Sequence, residues 1–178
     1  TGFSKPINQI KYLSGPQYHE LYREYLMSQG QSPAQATANA GSATTDTNWF
    51  DLINRDGQFS RVGFNGSYAN ENWNYRFSYN RLDNTESPIN NNFVRNAMAF
   101  AIGYQKGDWR INVNINPSLT EQNSPNTLFS FPLAPNISPT NPDGSYALLG
   151  TNTFGNPLAV AHQNSDFTKT KGVFTSLN

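Results

Sequence analysis

Between Gly57 and Pro117 the chain runs through four successive segments in which large apolar residues alternate with polar or small ones. Period-two alternation puts one set of side chains on each face of a strand. The pattern predicts antiparallel strands at about 58–68, 73–82, 93–104 and 109–116. In the first, Val62, Phe64 and Tyr68 oppose Arg61, Gly63, Asn65 and Ser67. In the second, Trp73, Tyr75, Phe77 and Tyr79 oppose Asn74, Arg76, Ser78 and Asn80. In the third, Met98, Phe100, Ile102 and Tyr104 oppose Arg95, Ala97, Ala99, Ala101 and Gly103. In the fourth, Trp109, Ile111, Val113 and Ile115 oppose Arg110, Asn112, Asn114 and Asn116. Burying three Asn and an Arg in a core is costly unless each polar group is paired. One face is therefore wet or a satisfied polar network, and the other is apolar throughout.

The open question is what covers the apolar face, protein or lipid. The chain has 178 residues, enough for one domain with a core of its own. Yet only 13% of residues are charged, against roughly 25% in an average soluble protein. Aromatics reach 13%, with twelve Phe and nine Tyr. Net charge is zero, so no global field attracts nucleic acid. The absence of Cys rules out disulfides and thiolate metal sites. No apolar run is long enough for a spanning helix, but barrel strands escape that test. No apolar segment of signal-peptide length follows Thr1–Pro6. A chain that starts without Met reads as a mature protein, a trimmed product or an ordered piece of something longer.

Around the strands the pattern changes. Residues 1–56 read as a helical loop segment. Ser14 suits a cap and Pro16 a first turn, and Tyr18, Leu21, Tyr22, Tyr25 and Leu26 recur at helical spacing over 16–28. Ser32-Pro33 starts a second short helix, and Trp49–Ile53 is an apolar knot anchored by Trp49. Residues 57–117 hold the two hairpins. Residues 118–165 read as one long ordered loop that leaves the sheet at Pro117. Seven of the eleven prolines fall between Pro117 and Pro157, and Asn141-Pro142-Asp143-Gly144-Ser145 is a strong turn. Loops of about fifty residues are uncommon in compact domains and usually functional. Residues 166–178 read as the start of a further strand through Phe167, Lys169, Lys171, Val173 and Thr175.

A soluble sandwich or small barrel would use the aromatic face as its core. Three features favour lipid instead. The connections alternate short and long, with residues 69–72, 83–92, 105–108 and then the long loop, as in membrane barrels. Tyr68, Trp73, Tyr104 and Trp109 all stand beside the two short turns, as an aromatic girdle would. The strands match the roughly nine to eleven residues needed to cross tilted. The expected fold is all-β: an arc of about four to five strands of a transmembrane antiparallel barrel, with an N-terminal helical loop and a long Pro-rich extracellular loop. Such an arc cannot close, and an open edge in lipid is forbidden by its unpaired backbone groups. Other strands must complete it.

The order of elements resembles the early barrel region of the SusC/RagA-like TonB-dependent outer-membrane transporters of Bacteroidota. Leu13-Ser14-Gly15-Pro16-Gln17-Tyr18-His19-Glu20-Leu21-Tyr22 is similar to the helix after that family's first barrel strand. Thr47-Asn48-Trp49-Phe50-Asp51-Leu52-Ile53 is similar to its Trp-containing segment. Phe59–Tyr68, Asn72-Trp73 and Tyr75-Arg76-Phe77-Ser78-Tyr79 resemble its first complete hairpin. Pro139–Tyr146 followed by Asn156-Pro157-Leu158-Ala159 resembles its long extracellular loop. The resemblance implies a bacterial outer-membrane protein, inactive alone and completed by further barrel and plug segments. It also implies energy relayed by TonB, a SusD-like surface lipoprotein as lid, and import of large nutrients such as glycans or oligopeptides. Two readings stay beside it: a structural barrel subunit of an outer-membrane complex, and a soluble carbohydrate-binding β-domain using Trp73, Tyr75 or Trp109 as a sugar platform.

In a barrel, Arg61, Arg76, Arg95, Arg110, Asn112 and Asn114 face the lumen. The arginines there pair with plug carboxylates, solvate the wall or touch substrate. Phe129, Phe131, Tyr146 and Phe154 on the long loop hold it together, stack on sugars or pack on a lid partner. His19 and His162 are too isolated to suggest a metal site. No nucleophile–base or acid–base arrangement stands out, so the expectation is a protein that is not an enzyme and needs no cofactor.

Overall fold

The computed structural model of the chain describes residues 1–7, 10–125, 133–149 and 155–178. These form two units. One is a sheet made of Thr1–Lys5, Asp56–Pro125 and Ser165–Asn178. The other, the excursion unit, is made of Pro6–Arg55 and Asn126–Asn164.

The sheet unit is one open antiparallel sheet of six strands in sequence order. They are β1 (Gly2–Ser4), β2 (Gly57–Ala69), β3 (Trp73–Glu86), β4 (Asn91–Lys106), β5 (Trp109–Asn123) and β6 (Phe167–Leu177). β1 covers only Gly57–Phe59 of β2, so among the described residues nothing pairs with the outer edge of β2 beyond Phe59. Among the described residues nothing pairs with the outer edge of β6 either.

The strand count and three boundaries differ from the sequence expectation. The sheet has six strands rather than an arc of four to five, because Gly2–Ser4 adds to β2. Residues 83–92, expected as a loop, are mostly ladder. Asp83, Asn84, Thr85 and Glu86 pair with Val94, Phe93, Asn92 and Asn91, and only residues 87–90 turn. The polar run hides the strand because it alternates polar with polar. The backbone finds partners on both sides regardless.

The strand also does not stop at Pro117. β5 continues to Asn123, paired with β6 along that whole stretch. Against β4 the register passes from Ala97↔Ser118 to Phe100↔Ile115, leaving Met98 opposite Pro117 and Ala99 opposite Asn116 without ladder pairs on that side. The register resumes unshifted. Proline has no N–H to give, and the sheet absorbs it as a local gap in one ladder.

At one end of the sheet the turns are residues 70–72 and 107–108. At the other end are the turn at 87–90 and both departures into the excursion unit, after Ser4 and after Asn123. Of the two connections expected to be long, the one between β5 and β6 is long, whereas the β3–β4 connection is the four-residue turn 87–90.

The excursion unit is built from short capped helices. In α1 (Gly15–Ser28) Ser14 and Gln17 form a capping box, with Pro16 in the first turn. In α2 (Pro33–Asn39) Ser32 and Gln35 repeat it. Asn48 caps α3 (Trp49–Ile53) and Asn156 caps α4 (Pro157–Gln163). Leu26, Ala36 and Ala40 make a small core, with Met27 packed on it. Gly15 is required by close approach, since a Cβ there would lie 1.7 Å from the Thr45 carbonyl oxygen.

Side chains then tie the two halves of the unit together. Thr47 Oγ1 donates to the Ile137 carbonyl at 2.6 Å and Trp49 Nε1 to that of Ala134 at 3.1 Å. The buried Asn136 donates through Nδ2 to the Ala40 carbonyl at 2.7 Å. The long Pro-rich segment and the N-terminal helical segment, expected as separate loops, are thus one body.

Candidate functional site: the two faces of the sheet

Register sorts every strand residue onto one of two faces. On the first, five rows run across the sheet. Counting from the end with the 70–72 and 107–108 turns, Trp73↔Tyr104↔Ile111 comes first, then Tyr68↔Tyr75↔Ile102↔Val113↔Leu177. Gly66↔Phe77↔Phe100↔Ile115↔Thr175 and Phe64↔Tyr79, beside Met98, Pro117↔Val173, follow. The fifth row is Val62↔Arg81↔Asn96↔Leu119↔Lys171, where cations enter. At the opposite border Trp109 pairs with Lys106.

Nothing within the sheet unit covers this face. Val62 is 61% exposed, Phe64 56% and Trp109 72%. In the whole sheet unit only Gly57, Gly103 and Pro125 are buried.

The aromatic residues near the short turns form a stepped cluster rather than a single level. Trp73 and Tyr104 are directly opposite, with ring centroids 4.6 Å apart. Tyr68 stands one row further in, against Tyr75 at 6.3 Å, and Trp109 one row further out. Stagger of this kind is what tilted, sheared strands produce. Tyr75 joins the cluster at 5.9 Å from Trp73. Gly66 leaves an open depression of about 380 Å³ among Tyr68, Tyr75, Phe77, Phe100 and Ile102.

The second face carries Arg61, Arg76, Arg95, Arg110, Asn112 and Asn114 together, as their positions in the register require. Arg61 and Arg95 flank Leu82 in one row. Arg76 lies between Ser67 and Ala101, and Arg110 opposite Gln105. All four arginines are exposed, and none has an ion-pair partner among the described residues. Asn114 Nδ2 donates to Ser176 Oγ at 3.0 Å. Asn74 and Asn80 lie against Gly103 and Gly63, where a Cβ would meet them at 2.3 and 2.6 Å. The face is mostly polar or small, with Phe59, Leu82, Phe93 and Phe174 as its large apolar members.

Of the loop aromatics, Phe129, Phe131 and Phe154 lie outside the described residues. Tyr146 is placed. Its hydroxyl and His162 Nδ1 share a hydrogen bond of 2.8 Å, and it pairs with Thr140 across the Asn141–Ser145 turn. In that turn Ser145 donates through both its N–H and Oγ to Asp143, which holds the carboxyl below its usual range. Among the described residues no three His, Cys, Asp or Glu side chains gather as a metal would need.

Sequence reasoning passed over Arg81 and Asn96. Arg81 shares its parity with Trp73 through Tyr79, and one more step along that strand would have found it. Asn96 Oδ1 accepts from Tyr79 Oη at 2.7 Å and from Arg81 at 3.4 Å. No protein-family model and no curated protein matches the chain.

Proposed function

We propose that this chain is a wall segment of a TonB-dependent outer-membrane transporter for large nutrients, glycans or oligopeptides. It is inactive alone and completed by further barrel and plug segments. The observation that carries the reading is the uncovered apolar face. Five adjoining strands present Trp, Tyr, Phe, Ile, Val and Met side chains outward, and the sheet buries no large side chain on either face. A soluble β-domain buries such a face against a second layer.

The dimensions suit lipid. From the Trp109–Lys106 border to the Leu119 row, β5 advances ten residues. That is about 33 Å of strand, or about 25 Å of height at a tilt near 40°, the height of an outer-membrane apolar band. Both borders carry charge, Lys106 at one and Arg81 with Lys171 at the other. Two bare edges call for neighbouring strands, since an unpaired edge is not tolerated in hydrocarbon. The arginine face then lines the lumen, where plug carboxylates are fitting partners for four guanidinium groups that have no ion-pair partner among the described residues. The transport role, the TonB relay and the SusD-like lid rest on the resemblance of the helix, Trp segment, hairpin and loop motifs.

The test uses the whole polypeptide or complex carrying this chain, reconstituted in vesicles. Lipids brominated on their acyl chains should quench a share of tryptophan fluorescence that disappears in the W73F/W109F variant. Equal quenching of both proteins overturns the membrane reading. Uptake of the nutrient should stop when TonB is removed, and TonB-independent uptake overturns the transporter assignment.

A further inference from the structure

The upper border of the apolar band has a sign. In the row next to Phe64, Tyr79, Met98 and Val173, the charged residues are Arg81 and Lys171, with Asn96 between them. The carboxylates come one row further out. Asp83 accepts from Arg81 Nη2 at 3.0 Å, and Glu121 pairs with Lys169 at 2.5 Å. Lys171 is exposed and has no ion-pair partner among the described residues. Arg81 is steered by Asn96 and Asp83 but keeps guanidinium N–H donors to spare. Three strand spacings separate the two cations, about 14 Å.

We infer that Arg81 and Lys171 hold the phosphates of anionic lipids in the leaflet at the excursion end of the sheet. This rests on the membrane reading above. A long cationic side chain just beyond an apolar band keeps its stem in hydrocarbon and its head at the phosphate level. The inner, carboxylate-free row is the one that meets the headgroups first. Placing Asp83 and Glu121 outward offsets the charge away from the lipid without blocking it. A purely solubilising use of lysine on the β6 edge would need no such ordering of rows, and Arg81 is not on an edge.

The test is native mass spectrometry of the whole protein in detergent with phosphatidylglycerol or phosphatidylcholine added. The wild type should retain phosphatidylglycerol preferentially. R81Q/K171Q should lose that preference by roughly thirtyfold and K171Q alone by about fivefold, with K171R restoring it. K169Q, whose ammonium is already paired with Glu121, should change little. Equal retention by the wild type and R81Q/K171Q overturns the inference, and so does a K169Q effect as large as that of K171Q. Displacement of phosphatidylglycerol by inorganic phosphate alone reassigns the site to a free anion and overturns the lipid assignment. Brominated lipids keep the two proposals apart. Quenching without the headgroup preference removes this inference only, whereas loss of quenching removes the membrane reading beneath it.

Discussion

The sheet unit buries Gly57, Gly103 and Pro125 and nothing larger, while the excursion unit buries Leu26, Ala36, Ala40 and Ala161. The first is joined by backbone ladders along five strand pairs. The second is joined by caps and by side chains reaching distant carbonyls, as Thr47, Trp49, Asn136 and Asn156 do. The contrast separates two sources of stability. The excursion unit carries its own core and fasteners. The sheet has its hydrogen bonds but leaves its apolar surface exposed within its own unit.

The sharpest way to break that contrast is a charge in the middle of the exposed face. In vesicles, Phe100→Arg should cost about 2–4 kcal/mol of folding free energy, as a cation near a bilayer midplane does. Asn65→Arg, on the polar face, should stay within about 0.5 kcal/mol. Denaturant titration of the vesicle-inserted protein reads both, and equal losses would erase the difference between the faces.

Asn136→Ala should cost the excursion unit about 1–3 kcal/mol by stranding the Ala40 carbonyl. Amide exchange should then rise around residues 36–47 and leave β2–β5 unchanged. Exchange rising in both units would show that their stabilities are not separate.

Two glycines give a smaller and opposite pair of effects. A Cβ at Gly66 meets nothing within 4 Å, so Gly66→Ala should stabilise by about 0.4–1 kcal/mol. Gly103→Ala should push Asn74 aside and lower the melting temperature slightly. The smallest effect belongs to Asp143. Its depressed carboxyl pKa makes the turn's contribution fully present above the ordinary aspartate value, about 3.9. That contribution is lost as pH falls through the lower, folded-state value. NMR of the Asn141–Ser145 turn should show acid loosening, and Asp143→Asn should abolish its pH dependence.

The faces were legible from sequence because alternation is a local rule. Trp73 to Tyr79 and Trp109 to Ile115 state their parity outright, and the arginine and asparagine positions follow. The strand ends were not legible. Leu82 through Glu86 carry no hydrophobic alternation, and Pro117 is an ordinary stop signal that a ladder gap overrides. The binding of residues 134–137 to 40–49 was also hidden. It rests on single donors such as Asn136 and Trp49, which leave no periodic trace. Arg81, Asn96 and Lys171 all lay on expected strands, but their meeting in one row is a matter of register between strands, which alternation within a strand does not fix.

Those long-range fasteners also set an order of assembly. Thr47 and Ile137 are 90 positions apart, and Ala40 and Asn136 are 96 apart. The hairpins between them close over residues 70–72, 87–90 and 107–108. Local closures form early, and distant ones wait for the entropy of the intervening chain to be reduced. Once β2 through β5 are paired, both segments emerge from the same end of the sheet, about 14 Å apart by strand spacing. The finished sheet shortens a ninety-residue search to a short gap. Closing the excursion unit after the sheet is therefore the route with the smaller entropic cost.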